Sequence, residues 1–77
     1  MRTEKHIKIT GYSTTSWKDA INKTIEEVSK TIQNLSHITI LEQSATIAEN
    51  KIIEYMVTLD LKFFIDNAKR TENWIGL

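Results

Sequence analysis

Apolar and polar residues alternate along this chain with a period that changes three times, and the changes mark its elements. In "KHIKITGY", Ile7 and Ile9 alternate with His6, Lys8 and Thr10, the period-2 pattern of a half-buried strand, and Gly11 ends it. A first strand is predicted over about residues 5–11. After the polar run "STTS", Ser16 stands three residues before Asp19, so it can cap a helix beginning at Trp17 while Asp19 favours the positive end of the helix dipole. Trp17, Ala20, Ile21, Ile25, Val28, Ile32 and Leu35 then recur at spacings of three and four, which predicts an amphipathic helix of about twenty residues. Glu26 and Lys30, four apart in the favourable order, add roughly a few tenths of a kcal/mol to it.

From Ser36 the pattern turns extended. "HITI" carries β-branched residues, extended character continues to about Ala48, and "ENK" makes a turn. The run "IIEYMVTLDLKFFI" sets Ile53, Tyr55, Val57, Leu59, Leu61 and Phe63 against Glu54, Met56, Thr58, Asp60, Lys62 and Phe64, a strand from about Ile52 to Ile65. The order β-α-β-β predicts an α+β fold, a three-stranded antiparallel sheet partly wrapping one amphipathic helix. Two strands of roughly thirteen residues reach about 40 Å, whereas a twenty-residue helix covers about 30 Å. The hairpin overshoots its helix and leaves sheet edges open, and the most economical cover is another copy of the chain. Residues 1–66 form the domain; 67–77 are a C-terminal tail, polar until Trp74, Ile75 and Leu77, that is either disordered or docked by its apolar tip on a neighbouring surface.

Composition narrows the function. At 77 residues the chain is one small domain. Lys plus Arg equals Asp plus Glu, so no net field draws it to nucleic acid or to an anionic membrane. There is no cysteine, which excludes a disulfide framework, a thiolate metal site and a thiol nucleophile. No apolar run approaches the ~18 residues of a membrane span, and "MRTEKHIKIT" does not read as a signal peptide, so a soluble cytoplasmic protein is expected. Catalysis has little support: Ser, His and carboxylates are present, but no nucleophile elbow or HExxH-type pair brings them together, and with only Gly11 and Gly76 there is no phosphate-cradling loop.

The segments "ITGYSTTSWKDAI", "SKTIQNL", "LEQ" and "NKIIEYMVTLDLKF", in this order and spacing from about Ile7 to Asp66, resemble the dodecins, small β-α-β-β proteins that assemble as hollow homododecamers. "TSW" and "LEQ" look most like the branch of that family lacking the flavin site, which includes calcium dodecins. The resemblance implies sequestration of riboflavin or FMN rather than catalysis. In the flavin-binding relatives a tryptophan from each of two subunits sandwiches isoalloxazine rings at a twofold axis, and a glutamine on the third strand bonds the ring edge. Those positions correspond to His37 and Met56 here. Imidazole stacks over less area than indole, and a thioether cannot pair with an imide as an amide does. Flavin binding is therefore expected to be weak or lost.

The candidate twofold pocket comprises His37, Met56, Glu54 and Thr58, with His37 able to stack or, when protonated, to hold an anion. The competing reading makes His37 an interface histidine and Met56 a gap-filling residue at a subunit contact. Trp17 opens the apolar stripe of the helix and is read as core, and His6 as solvated or at an interface. Glu42, Glu54 and Asp60 could give oxygens to calcium or magnesium at a symmetry axis, although no EF-hand loop exists. Two functions thus remain open: a dodecin-like ligand store, with FMN or riboflavin as candidate ligand, or a flavin-free structural, calcium-binding or partner-binding dodecamer.

Overall fold

Residues 2–66 are described by the computed structural model and form four elements: β1 (Arg2–Ser13), α1 (Trp17–Val28), β2 (Leu35–Ala48) and β3 (Lys51–Asp66). The three strands make one antiparallel sheet in the order β1-β3-β2. β3 is central because it carries the most regular apolar alternation: Val57, Leu59 and Leu61 are fully buried and meet Ala20 and Val28 of the helix. Ile7, Ile9, Trp17, Ile21, Ile32 and Leu35 surround this core. The pairings Ile7 to Leu61 to Ile38 and Ile9 to Leu59 to Ile40 turn one apolar face of the sheet toward α1. Register shifts between Leu35 and His37, Ile40 and Glu42, and Thr46 and Ile47 insert bulges in the β2 and β3 pairing, which increase twist and bend the sheet around the helix.

The helix starts as expected. Ser16 has extended backbone, φ −172° and ψ 166°, and its hydroxyl accepts from the Asp19 N–H at 3.0 Å. The Ser13 hydroxyl donates to Asp19 Oδ2 at 2.6 Å, so the end of β1 and the first turn of α1 are stitched together. That hydrogen bond, and secondarily the Lys23 ammonium at 3.2 Å, hold the Asp19 carboxyl below its ordinary pKa.

The helix does not run to Leu35: it ends at Val28. Its last amides shorten to three-residue bonds, Lys30 N–H to Glu27 O at 3.3 Å and Thr31 N–H to Val28 O at 3.0 Å, and the Ser29 hydroxyl caps Ile25 O at 2.7 Å. Ser29, Thr31, Asn34 and Ser36 all offer the backbone alternatives to the helical ladder, so the coil unwinds while Ile32 and Leu35 still reach the core. The pair expected between Glu26 and Lys30 is likewise replaced by an exposed contact between Lys30 and Glu27 at 3.4 Å. The strands run longer than predicted, β1 at both ends and β3 by one residue at each.

Glu49 and Asn50, at φ 53° and 63°, close the hairpin between Ala48 and Lys51 as a two-residue turn with both central residues left-handed, which matches the strand twist. A twelve-residue helix rises about 18 Å, against roughly 50 Å for the sixteen-residue β3. The described chain measures 61 × 19 × 16 Å, and its radius of gyration of 16.8 Å far exceeds the roughly 11 Å of a compact domain of this length. Among the described residues no helix is long and apolar enough to cross a membrane. Trp74, Ile75 and Leu77 of the tail lie outside the described residues.

The helix sits close on β1 where Gly11 passes under Thr24, a buried residue whose hydroxyl donates to Ala20 O at 2.7 Å. A Cβ at Gly11 would overlap that hydroxyl and lie 3.4 Å from Ala20 O. Gly11→Ala is expected to destabilise the protein by about 1–3 kcal/mol through overpacking, and Thr24→Ala in the same chain to recover most of the loss. Chemical denaturation of the two single variants and the double variant measures both effects.

Candidate functional site

Alternation places the other half of each strand on the face turned away from α1. Four rows cross this helix-distal face: His6, Lys62 and His37; Lys8, Asp60 and Thr39; Thr10, Thr58 and Glu42; and Tyr12, Met56 and Ser44. Beyond Met56 the row of Glu54 pairs with Thr46. All four predicted pocket residues, His37, Met56, Glu54 and Thr58, therefore share one face. They do not form one pocket within a single chain, because His37 pairs with Lys62, six positions from Met56, or about 20 Å along β3.

Their local roles differ. Thr58 is buried and its hydroxyl lies 3.1 Å from that of Thr10, so it joins β3 to β1. Met56 lies between exposed Tyr12 and Ser44. His37 is exposed, with Nδ1 hydrogen-bonded to the Ser36 hydroxyl, at the bulge where β2 begins. The backbone around it, with Leu35, Ile38 and Ile25 of the helix, borders an open hollow of about 260 Å³. Trp17 belongs to the packing, as expected. Its indole N–H donates to Ser44 O at 2.7 Å and its ring meets Tyr55 edge-on, with centroids 4.9 Å apart.

Sequence reasoning left His6 without partners. Its Nε2 lies 2.6 Å from Glu4 Oε2 and its Nδ1 2.7 Å from Asp60 Oδ2. These hydrogen bonds, that to Glu4 first, raise the pKa of His6, and the same bond holds the Glu4 carboxyl below its ordinary value. Nearby, the Arg2 guanidinium stacks 4.1 Å from the Phe64 ring centroid and the Lys62 ammonium lies 5.7 Å from it. The alternation put His6 and Asp60 on outward faces; only the strand register, with Lys8 opposite Asp60 and His6 opposite Lys62, makes them diagonal neighbours. Of the predicted calcium ligands, Asp60 is engaged by His6, while Glu42 and Glu54 lie on separate rows. Among the described residues no group of three His, Cys, Asp or Glu side chains is arranged to hold a metal ion.

This fold and face define a class. The family model described as Dodecin matches residues 3–66, so the chain belongs to the dodecin family. A point mutant of the Thermus thermophilus dodecin superposes with a TM-score of 0.80 at 26% identity, covering 86% of this chain and 98% of that one. The dodecin from Streptomyces davaonensis gives 0.78 at 26% identity, covering 84% and 96%. A calcium dodecin from Mycobacterium tuberculosis, described as having a novel calcium-binding site, gives 0.73 at 23% identity over 86% and 94% of the two chains, a likeness of fold. No curated protein matches the chain in sequence. Dodecins are flavin-binding storage proteins and not enzymes.

The bond from Trp17 to Ser44 spans the central strand and anchors the start of α1 to β2. Trp17→Phe keeps the ring but leaves the Ser44 carbonyl without its donor, and is expected to lower stability by about 1–3 kcal/mol. Urea denaturation measures the loss; an unchanged midpoint would show that the indole N–H contributes nothing net.

Proposed function

We propose that this dodecin is a cytoplasmic binding and storage protein for a small planar or anionic ligand, assembled as a hollow homododecamer, in which riboflavin or FMN binds weakly or not at all. The observation that carries the reading is the chemistry at two points of the helix-distal face. His37 and Met56 stand where the resemblance places the stacking tryptophan and the imide-pairing glutamine of the flavin-binding relatives. A pocket containing both draws on more than one subunit, since one chain separates them by about 20 Å.

Assembly rests on a second observation. Among the described residues the buried apolar core comprises Ala20, Val28, Val57, Leu59 and Leu61, too little to support a sheet this long. Meanwhile Tyr12, Leu41, Ile47, Ile52 and Ile53 stay exposed, Ile47 at 64%. Burial between copies would satisfy these side chains and cover the open edges of β1 and β2. A calcium-binding assembly is the second reading, supported by the fold shared with the calcium dodecin and by Glu42, Glu54 and Asp60 on one face. In it, symmetry copies supply the ligands one chain does not gather.

Riboflavin fluorescence titrated with the purified protein separates the readings. Storage with weakened flavin affinity predicts quenching only well above micromolar protein, and His37→Trp with Met56→Gln should tighten binding by about tenfold or more, one good stacking contact being worth roughly 1 kcal/mol and the amide bonds as much again. No quenching by either protein, with heat released on calcium titration, favours the ion-binding reading. Light scattering should give a mass of about twelve chains, and Ile47→Lys with Ile53→Lys should reduce it. A monodisperse monomer would overturn the assembly.

A further inference from the structure

The first residues of β1 differ from the rest of the strand in what holds them. Ile7 and Ile9 pack on the core, but positions 2–6 are all exposed and none belongs to the core. Backbone pairing to β3, the Arg2 stack on Phe64 and the contacts of His6 keep this stretch in place. Segments held by exposed bonds and little burial open first. Here the side chains decide whether the stretch stays closed.

We propose that Glu4, His6 and Asp60 form a pH-operated clamp, the His6–Asp60 bond fastening the N-terminal end of edge strand β1 to β3 and the His6–Glu4 bond bracing it within β1, closed while the imidazole carries two protons and loosened when it loses one. The reason is the hydrogen-bond inventory of the ring. Both nitrogens lie within 2.7 Å of carboxylate oxygens, and only imidazolium has two N–H groups to donate. Neutral imidazole keeps one donor and turns a lone pair toward the other carboxylate, so one of the two bonds becomes a repulsion. The charged groups sharing this face are Arg2, Glu4 and Lys8 on β1, Asp60, Lys62 and, farther along, Glu54 on β3, and His37 and Glu42 on β2; α1 lies on the opposite face. Lys62 stands between His6 and His37 and Lys8 stands opposite Asp60, so loss of the His6 charge leaves the two carboxylates to these lysines, neither of which bonds both.

The direction of the effect follows from the shifted groups. His6 titrates above the ordinary histidine value, so its contribution is complete below about pH 6.5 and is lost as pH rises through its raised pKa. Glu4 titrates below the ordinary carboxylate value, so its contribution is present above about pH 4.5 and is lost as pH falls through its lowered pKa. The clamp is fully closed in weakly acidic solution and opens toward alkaline pH. It requires no ligand and stands whatever the outcome of the flavin titration.

Hydrogen exchange read by mass spectrometry on the full assembled chain tests it, with rates corrected for intrinsic base catalysis. Between pH 6 and pH 9 the peptide covering residues 2–6 should lose protection on the order of tenfold, while peptides from the buried part of β3 do not change. His6→Gln should leave residues 2–6 equally exposed at both pH values, and His37→Gln should keep the wild-type dependence. Unchanged protection of residues 2–6 in the wild type, loss shared equally by the core of β3, or a dependence that survives in His6→Gln overturns the clamp.

Discussion

α1 covers only about 18 Å of a sheet whose central strand runs roughly 50 Å, and the rest of the structure depends on that mismatch. Where the helix lies, β3 has a packed side in Val57, Leu59 and Leu61, and Gly11 lets α1 approach β1 closely enough for Thr24 to be buried. Beyond α1 on either side, no other helix among the described residues covers the same strands. At the hairpin end this leaves Ile47, Ile52 and Ile53 exposed, and at the other end it leaves the start of β1 to charged contacts. One short helix thus produces both an apolar surface suited to another copy and a polar stretch sensitive to protonation.

The two faces of the sheet divide the work. The face toward α1 carries the aliphatic core residues in fixed register, so its main work is packing. The opposite face carries polar and charged side chains arranged in rows across three strands. Its rows are not equivalent. Near Thr58 and Thr10 the hydroxyls satisfy each other, near His6 the carboxylates are already engaged, and His37 bonds only its neighbour Ser36. His37 and Tyr12 are thus exposed aromatic side chains on this face that, among the described residues, no bond ties to another strand.

Much of this was legible from the pattern of residues. The period-2 runs marked the first and third strands with their faces, β-branched residues marked the second, and Ser16 with Asp19 marked the start of the helix, because these signals are local. The end of the helix was misread for a physical reason: Ile32 and Leu35 continue the three-and-four spacing and do reach the core, but from a loop and from β2 rather than from a helix. Apolar spacing reports which residues are buried and not which backbone carries them. The partners of His6 were hidden for a related reason, since Glu4 and Asp60 are joined to it by a register that hydrophobic alternation leaves open.

By itself the sequence determined the β-α-β-β order, the lack of any thiol, and the aliphatic residues that build the core, because each depends on residue type and short-range spacing. Tertiary structure alone decided where α1 stops, that His37 and Met56 stand about 20 Å apart on one face, and that His6 lies between two carboxylates. Those outcomes depend on which residues three strands bring opposite one another. Bulges such as those at Ser36 and Leu41 set that register, and their positions follow from the fit of the whole sheet around one short helix.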